Sequence, residues 1–322
     1  MTREVLIRLY DVPPSRPALD ALASVLLPHG DQDRPASGVT PVFSPCANPR
    51  TATSVRLRQG GDTLGSCDIN TSGPGTVGPC EIADTIAAAH RPLVRWALVH
   101  LALEHLGWLG YAYGLLNIGE HTDGLPPAVA DAAWQIPLTT GRTRAASRDD
   151  PSLKWADFFI DLRTWSPRDK PATLHAAGRE LVVRRPEASE GLLLVEWIKE
   201  TFGGGWASEI HRSFSRDPIS SVIVVDQDTG LPAKERLIGF VAYDTARLGM
   251  LSTIALIPSV RGHSLELAPA LLEECLRQAK ASGMPYAVLG GVANRLTALR
   301  YINALWTIPG SYPGIFGKGI RN

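Results

Sequence analysis

The stretch from Gly249 to Trp306 constrains the fold of this chain most strongly. It opens with an apolar run, Met250–Ile257, bounded by Gly249 and Pro258, which reads as a buried strand. A short basic loop, Ser259-Val260-Arg261-Gly262-His263, follows. Leu265, Leu267, Ala268, Leu271, Leu272, Cys275, Leu276 and Ala279 then fall at three-and-four spacing, which predicts a helix stopped by Gly283 and Pro285. Tyr286–Gly290 reads as a second apolar strand and Asn294–Asn303 as a shorter helix. Strand, basic loop, helix, strand, helix is an arrangement suited to holding an anion. The first turn of a helix leaves backbone N–H groups unpaired and carries the positive end of the helix dipole.

An earlier segment echoes this one, ADTIAAAHRPLVRWALVHLALEHLGWLGYAYGLLN. Setting Arg91 on Arg261 places Ala87–Ala89 against Ile257–Ser259 and a helix Leu93–Leu106 against Ser264–Lys280. Tyr111–Asn117 then matches Tyr286–Gly290, and upstream Thr63–Ile69 takes the part of Leu237–Asp244. An internal repeat of consistent order predicts two copies of one fold. Around it, Glu4–Tyr10 alternates like an edge strand, Ala18–Leu27 carries a helical stripe, and Pro28–Pro49 reads as loop. Ser54–Arg58 and Thr63–Ile69 form a hairpin about Gly60-Gly61-Asp62; Cys80–Ala87 is a further strand and Pro126–Trp134 a helix. Trp155–Trp165 is expected to close a first domain, 1–165, and the proline-bearing polar stretch 166–178 to link it to a second, 179–322. In that second domain Glu180–Arg185, Ser221–Val225 and Leu237–Asp244 read as strands, and Glu190–Phe202 and Trp206–Phe214 as helices.

Composition narrows the function classes. At 322 residues and 44% hydrophobic the chain can bury two ordinary cores. Lys+Arg and Asp+Glu both total 32, which gives no footprint for nucleic acid or an anionic membrane surface. No run is long enough to span a bilayer and Met-Thr-Arg-Glu-Val is not a signal peptide, so a cytoplasmic monomer or homodimer is expected. Cys46, Cys67, Cys80 and Cys275 lack metal-ligand spacing, and His100 and His105 stand off one helical face, so no metal is expected.

The order of elements resembles the core of the GNAT N-acetyltransferase superfamily. In that family a strand ending near Pro precedes an Arg/Gln-x-x-Gly-x-Gly/Ala loop and a long helix, and Asn-x-x-Ala-x-x-x-Tyr follows later. Here Pro258 precedes Arg261, and Asn294, Thr297, Tyr301, Leu305 and Trp306 fall at the spacing of the second motif. The doubled pattern is similar to the tandem GNAT proteins found among bacterial antibiotic-pathway and resistance genes. The resemblance implies an α/β (α+β) architecture of two GNAT-like domains, each a mixed, mostly antiparallel central sheet flanked by helices. It implies an acetyl-CoA (or other acyl-CoA) cosubstrate and a small-molecule amine acceptor in the second domain. It places backbone contacts to the thioester at Ile254, Ala255 and Leu256, and the pyrophosphate against Arg261, Gly262, His263 and Ser264. Asn294 falls beside the pantetheine, and Tyr301 is the acid that protonates the leaving thiolate. Asp244 and Glu209 are the candidate general bases. The sequence departs from the family at Ser264 and Glu266, which stand where the loop has small residues, and in the first copy at Pro92, Val94 and Trp96. These departures keep open a GNAT-like pair that holds CoA, or nothing, without turnover. The first copy is expected to be structural, although Arg91 and Arg95 leave its helix start basic.

Overall fold

The structure, a computed structural model, describes residues 4–26, 38–45, 52–71, 75–117, 124–136, 155–167, 173–261, 266–292 and 305–311. The chain divides into two units, Met1–Thr139 and Thr140–Asn322. Among the described residues no helix is long and apolar enough to cross a membrane.

The first unit contributes strands β1 (Glu4–Arg8), β2 (Thr40–Pro45), β3 (Ala52–Gln59), β4 (Asp62–Asn70), β5 (Thr76–Ile82), β6 (Tyr113–Asn117) and β7 (Ala133–Gln135), with helices α1 (Arg16–Leu26) and α2 (Arg91–Leu109). They form one sheet in the order β2-β3-β4-β5-β6-β1-β7. All neighbours are antiparallel except β5 and β6. The helix α2 lies over β4 and β5, with Val94, Ala97, Leu98, Leu101 and Leu106 buried, and α1 packs beside it. Along β4, Cys67 and Ile69 face inward while Asp68 and Asn70 are exposed, the alternation of a sheet with one wet face.

The second unit contributes β8 (Phe158–Asp161), β9 (Leu174–Ala176), β10 (Arg179–Arg184), α3 (Gly191–Phe202), α4 (Gly204–Ser213), β11 (Ser221–Asp226), β12 (Leu237–Tyr243), β13 (Met250–Leu256), α5 (Leu267–Ala281), β14 (Tyr286–Leu289) and β15 (Leu305–Thr307). Its sheet runs β15-β8-β14-β13-β12-β11-β10-β9, again antiparallel except for one pair, β13 and β14. Every residue of β11 and β12 is buried, because both faces are covered. On one face Leu271, Cys275, Leu276 and Ala279 of α5 meet Val222, Ile238 and Val241. On the other, Leu194, Trp197, Ala207 and Ile210 of α3 and α4 meet Ile223, Phe240 and Ala255. Trp206, Trp197 and Phe202 converge edge-on upon Phe240, at ring-centroid separations of 6.1, 6.2 and 5.5 Å.

The protein is thus two mixed, mostly antiparallel sheets flanked by helices, and the backbone repeats residue for residue. Val77 pairs with Ile69 as Leu251 pairs with Tyr243, and Cys80 with Cys67 as Ile254 with Val241. Between these pairs each sheet carries the same extra residue, a bulge in β5 and in β13. Ala83 N–H donates to Leu64 O at 3.0 Å and Ile257 N–H to Ile238 O at 2.9 Å. Gly65 and Gly239 are counterparts: a Cβ would stand 2.7 Å from Glu81 O at the first and 2.7 Å from Ala255 O at the second.

Several expectations are corrected by nonlocal pairing. The first strand is not an edge: β1 sits between β6 and β7, with Val5, Leu6 and Ile7 buried. Within the expected loop Pro28–Pro49, β2 takes the sheet edge, where the prolines cost no ladder bond to a further strand. The expected helix at Pro126–Trp134 is a 3-10 turn, Pro127–Ala132, leading into β7. The strand in Trp155–Trp165 does not close the first domain. As β8 it pairs with β14 and β15, in the second sheet, and β9 lies inside the stretch expected to be a linker.

Candidate active site

The one parallel pair of the second sheet opens as it leaves its start. Only Met250↔Val288 and Leu251↔Leu289 are in register, tied by Val288 N–H to Gly249 O at 3.0 Å and Gly290 N–H to Leu251 O at 3.1 Å. Beyond them β13 continues to Leu256 while β14 has ended at Leu289. Ile257 bonds to Ile238, so alternation along an antiparallel ladder turns Ala255 toward β12 and turns Ile254 and Leu256 away from it. The backbone groups of Ile254 and Leu256 therefore face the gap, whereas those of Ala255 are spent on Phe240. Of the three expected backbone contacts, Ala255 is the one this register sets aside.

At the far end of the gap Arg261 Nε donates to Leu256 O at 2.8 Å, which anchors the guanidinium at the strand end. The helix α5 starts at Leu267, later than Leu265, and Glu266 is its N-cap with no side-chain capping bond. Pro269 in the first turn has no N–H to offer. Gly262, His263, Ser264, Asn294 and Tyr301 lie outside the described residues.

The two carboxylates considered as bases have different settings. Asp244 sits at φ 56° and its Oδ1 accepts Gly249 N–H at 2.6 Å, closing the turn between β12 and β13. Burial pushes its carboxyl up to about 6, against the pull of the Gly249 amide and of Arg216 and Arg212. It is a turn clamp. Glu209, from α4, reaches the bulge instead. Thr245 Oγ1 donates to Glu209 Oε2 at 3.4 Å, and the Thr245 and Ser252 hydroxyls stand 2.8 Å apart. Burial raises the Glu209 carboxyl above the usual range, opposed by the hydroxyls of Ser252, Thr245 and Thr253. Thr253 Oγ1 is buried and completes no hydrogen bond of good geometry. The bulge is the structural reason that consecutive residues, Ser252 and Thr253, both place a hydroxyl near one carboxyl. Sequence spacing gave no signal of it, since a bulge is fixed by the neighbouring strand.

In the first unit the bulge residues are Gly78 and Pro79, which carry no hydroxyl, and among the described residues no carboxylate helix covers it. Arg91 folds back on its own loop, with Nε donating to Ile86 O at 3.0 Å and Nη2 to Asp84 O at 3.2 Å. Among the described residues no group of three or more His, Cys, Asp or Glu is placed to hold a metal ion.

No protein-family profile matches the chain, and no curated protein matches it. Among solved structures it is similar to a tandem GNAT protein from the clavulanic acid biosynthesis pathway, at 17% identity and a TM-score of 0.32, over 96% of this chain and 98% of that one. It is also similar to a GCN5-related N-acetyltransferase from Sphaerobacter thermophilus, at 13% identity and a TM-score of 0.35, over 94% of each chain. A third is the GCN5-related glucosamine N-acetyltransferase region of a fungal multi-domain β-N-acetylglucosaminidase, at 12% identity and a TM-score of 0.37. This chain is covered over 96% of its length but spans only 37% of that one.

Proposed function

We propose that the second unit is an N-acyltransferase that moves an acyl group, most simply acetyl, from a coenzyme A thioester to a small amine. The observation that carries this reading is the gap between β13 and β14, with the backbone of Ile254 and Leu256 facing it and the raised carboxyl of Glu209 at its start. An extended amide-bearing arm can pair with such an open strand edge as a further strand would. Backbone donors there polarise a thioester carbonyl as charge develops on its oxygen. Glu209 takes the proton of the attacking ammonium or amine; a carboxyl raised by burial holds that proton better than a solvated one. Arg261, anchored at the strand end, and the loop that follows it meet the pyrophosphate, Asn294 the pantetheine, and Tyr301 returns a proton to the departing thiolate. The first unit acts as a scaffold. Specialised metabolism is the setting that the resemblance suggests.

Titration of acetyl-CoA into the protein by calorimetry, followed by an acyl-transfer assay over a panel of small amines, tests the reading. Saturable heat with one equivalent bound and release of free CoA thiol is expected. Absence of both heat and thermal shift would sink it. The carboxylate of Glu266 at the α5 N-cap favours a second reading, a CoA-binding pair without turnover, and heat without thiol release on any amine would select it.

A further inference from the structure

The first unit carries two cysteines that the acyl-transfer reading does not use, and the fold sets them face to face. Cys67 on β4 and Cys80 on β5 are directly opposite in the antiparallel register, immediately beside the bulge. Ala83 bonds to Leu64, so counting along the ladder makes Cys67–Cys80 a non-hydrogen-bonded pair. Such pairs bring Cα atoms to about 4.5 Å, with their side chains on the same face. A disulfide needs Cα atoms about 4.4–6.8 Å apart, so this pair lies at the short end of what the bond accepts. Both residues stand as thiols in the structure. Cys67 is buried beneath α2, with its sulfur 3.4 Å from Gly78 O, whereas Cys80 is partly exposed because β6 has already diverged from β5 at that level.

We propose that Cys67 and Cys80 form a thiol–disulfide exchange site, which a low-molecular-weight disulfide such as oxidised glutathione converts to a reversible cross-strand disulfide. Cys80 is the attacking group. Cys80, the partly exposed member, is the one a small disulfide can reach, whereas hydrogen bonding to Cys80 and then burial raise the Cys67 thiol, so Cys67 keeps its proton. The Cys80 thiolate displaces one thiolate from the small disulfide and forms a mixed disulfide. Cys67, losing its proton to solvent, then attacks the Cys80 sulfur and releases the second thiolate. Two protein thiols and one small disulfide become one protein disulfide and two small thiols, with two electrons passed to the small disulfide. Excess small thiol runs the same exchange backwards and restores both protein thiols.

The test uses the whole protein, incubated with excess oxidised glutathione, quenched with N-ethylmaleimide and weighed intact. In the expected product Cys67 and Cys80 carry no maleimide and together have lost the mass of two hydrogens, and cleavage at Asp68 leaves the Cys67 and Cys80 peptides joined until dithiothreitol is added. Cys67→Ala is expected to accumulate a glutathione adduct on Cys80 in place of the disulfide. Cys80→Ala is expected to leave Cys67 unmodified. Full alkylation of both cysteines in the folded protein overturns the proposal. So does stable glutathione on both, or a crosslink from either to Cys46. The wild-type mass decides the matter even where a variant fails to fold.

Discussion

In the first unit the bulge beside the parallel pair is Gly78-Pro79; in the second it is Ser252-Thr253. The strands on either side share one hydrogen-bond register, down to the backbone bonds of Ala83 and Ile257. What differs is the layer above. The second sheet is covered on both faces, and the helix on the added face brings Glu209 to the bulge; among the described residues no such layer covers the exposed side of β4 in the first. A backbone gap is therefore a property of the fold, inherited by both units. A site needs in addition a helix that lowers the local dielectric and polar side chains aimed at the gap.

The comparison can be broken at its largest point by Glu209→Gln, which removes the proposed proton acceptor, a group with no counterpart among the described residues of the first unit. A fall in kcat/KM of roughly 10²–10⁴ with acetyl-CoA affinity unchanged is expected. Transfer should also rise with pH through a window above the ordinary carboxylate range, following the raised Glu209 carboxyl. Unchanged transfer in the variant would leave the second unit without its distinguishing group.

The shared register is tested by Gly65→Ala and Gly239→Ala. Each would push a Cβ to 2.7 Å from a backbone carbonyl of the adjacent strand, so a loss of about 2–3 kcal/mol is expected from both in denaturant unfolding. Tolerance at one position alone would break the equivalence.

The smallest effect concerns Asp244, whose counterpart is Asn70, each pairing with the first residue of the next strand. The Asp244 carboxyl rises from an ordinary 3.8 to about 6 on folding, so the folded state binds the proton more tightly. The stability this proton confers is complete below about pH 4 and is lost as pH rises through about 6. Asp244→Asn keeps an acceptor for Gly249 N–H, removes the slope, and should gain on the order of 1–2 kcal/mol at pH 7. Thermal unfolding between pH 4 and 7 reads it out, and an undiminished slope would show that another group carries it.

Much of the repeat is legible in the sequence, because strands with matching glycines and apolar alternation announce themselves locally. Placing Thr63–Ile69 on Leu237–Asp244 agrees with the register that the sheets adopt. Placing Arg91 on Arg261 does not. By backbone bonding Ala83 answers to Ile257 and Ile86 to Val260, so Arg261 corresponds to Ala87. The two arginines attract each other in a sequence comparison, but the loops that carry them differ in length ahead of α2 and α5. The roles of β1 and β8 were illegible for a deeper reason. Their partners lie at the other end of each unit, and an apolar run of five residues says nothing about which strand will flank it. In the sequence Glu209 is visible only as a carboxylate on a helix. Its proximity to Ser252 depends on a bulge and a layer, neither of which has a local signature.

Each unit inserts its earliest strand between its latest ones: β1 between β6 and β7, and β8 between β14 and β15. During synthesis that strand leaves the ribosome well before either partner exists, with its apolar side chains waiting in solvent or in temporary company. Neither sheet can close until its unit is nearly complete, so folding of each half is governed by a long-range docking event and slowed accordingly. Until then Val5-Leu6-Ile7 and Phe158-Phe159-Ile160 are the segments of each half most open to pairing with the wrong neighbour.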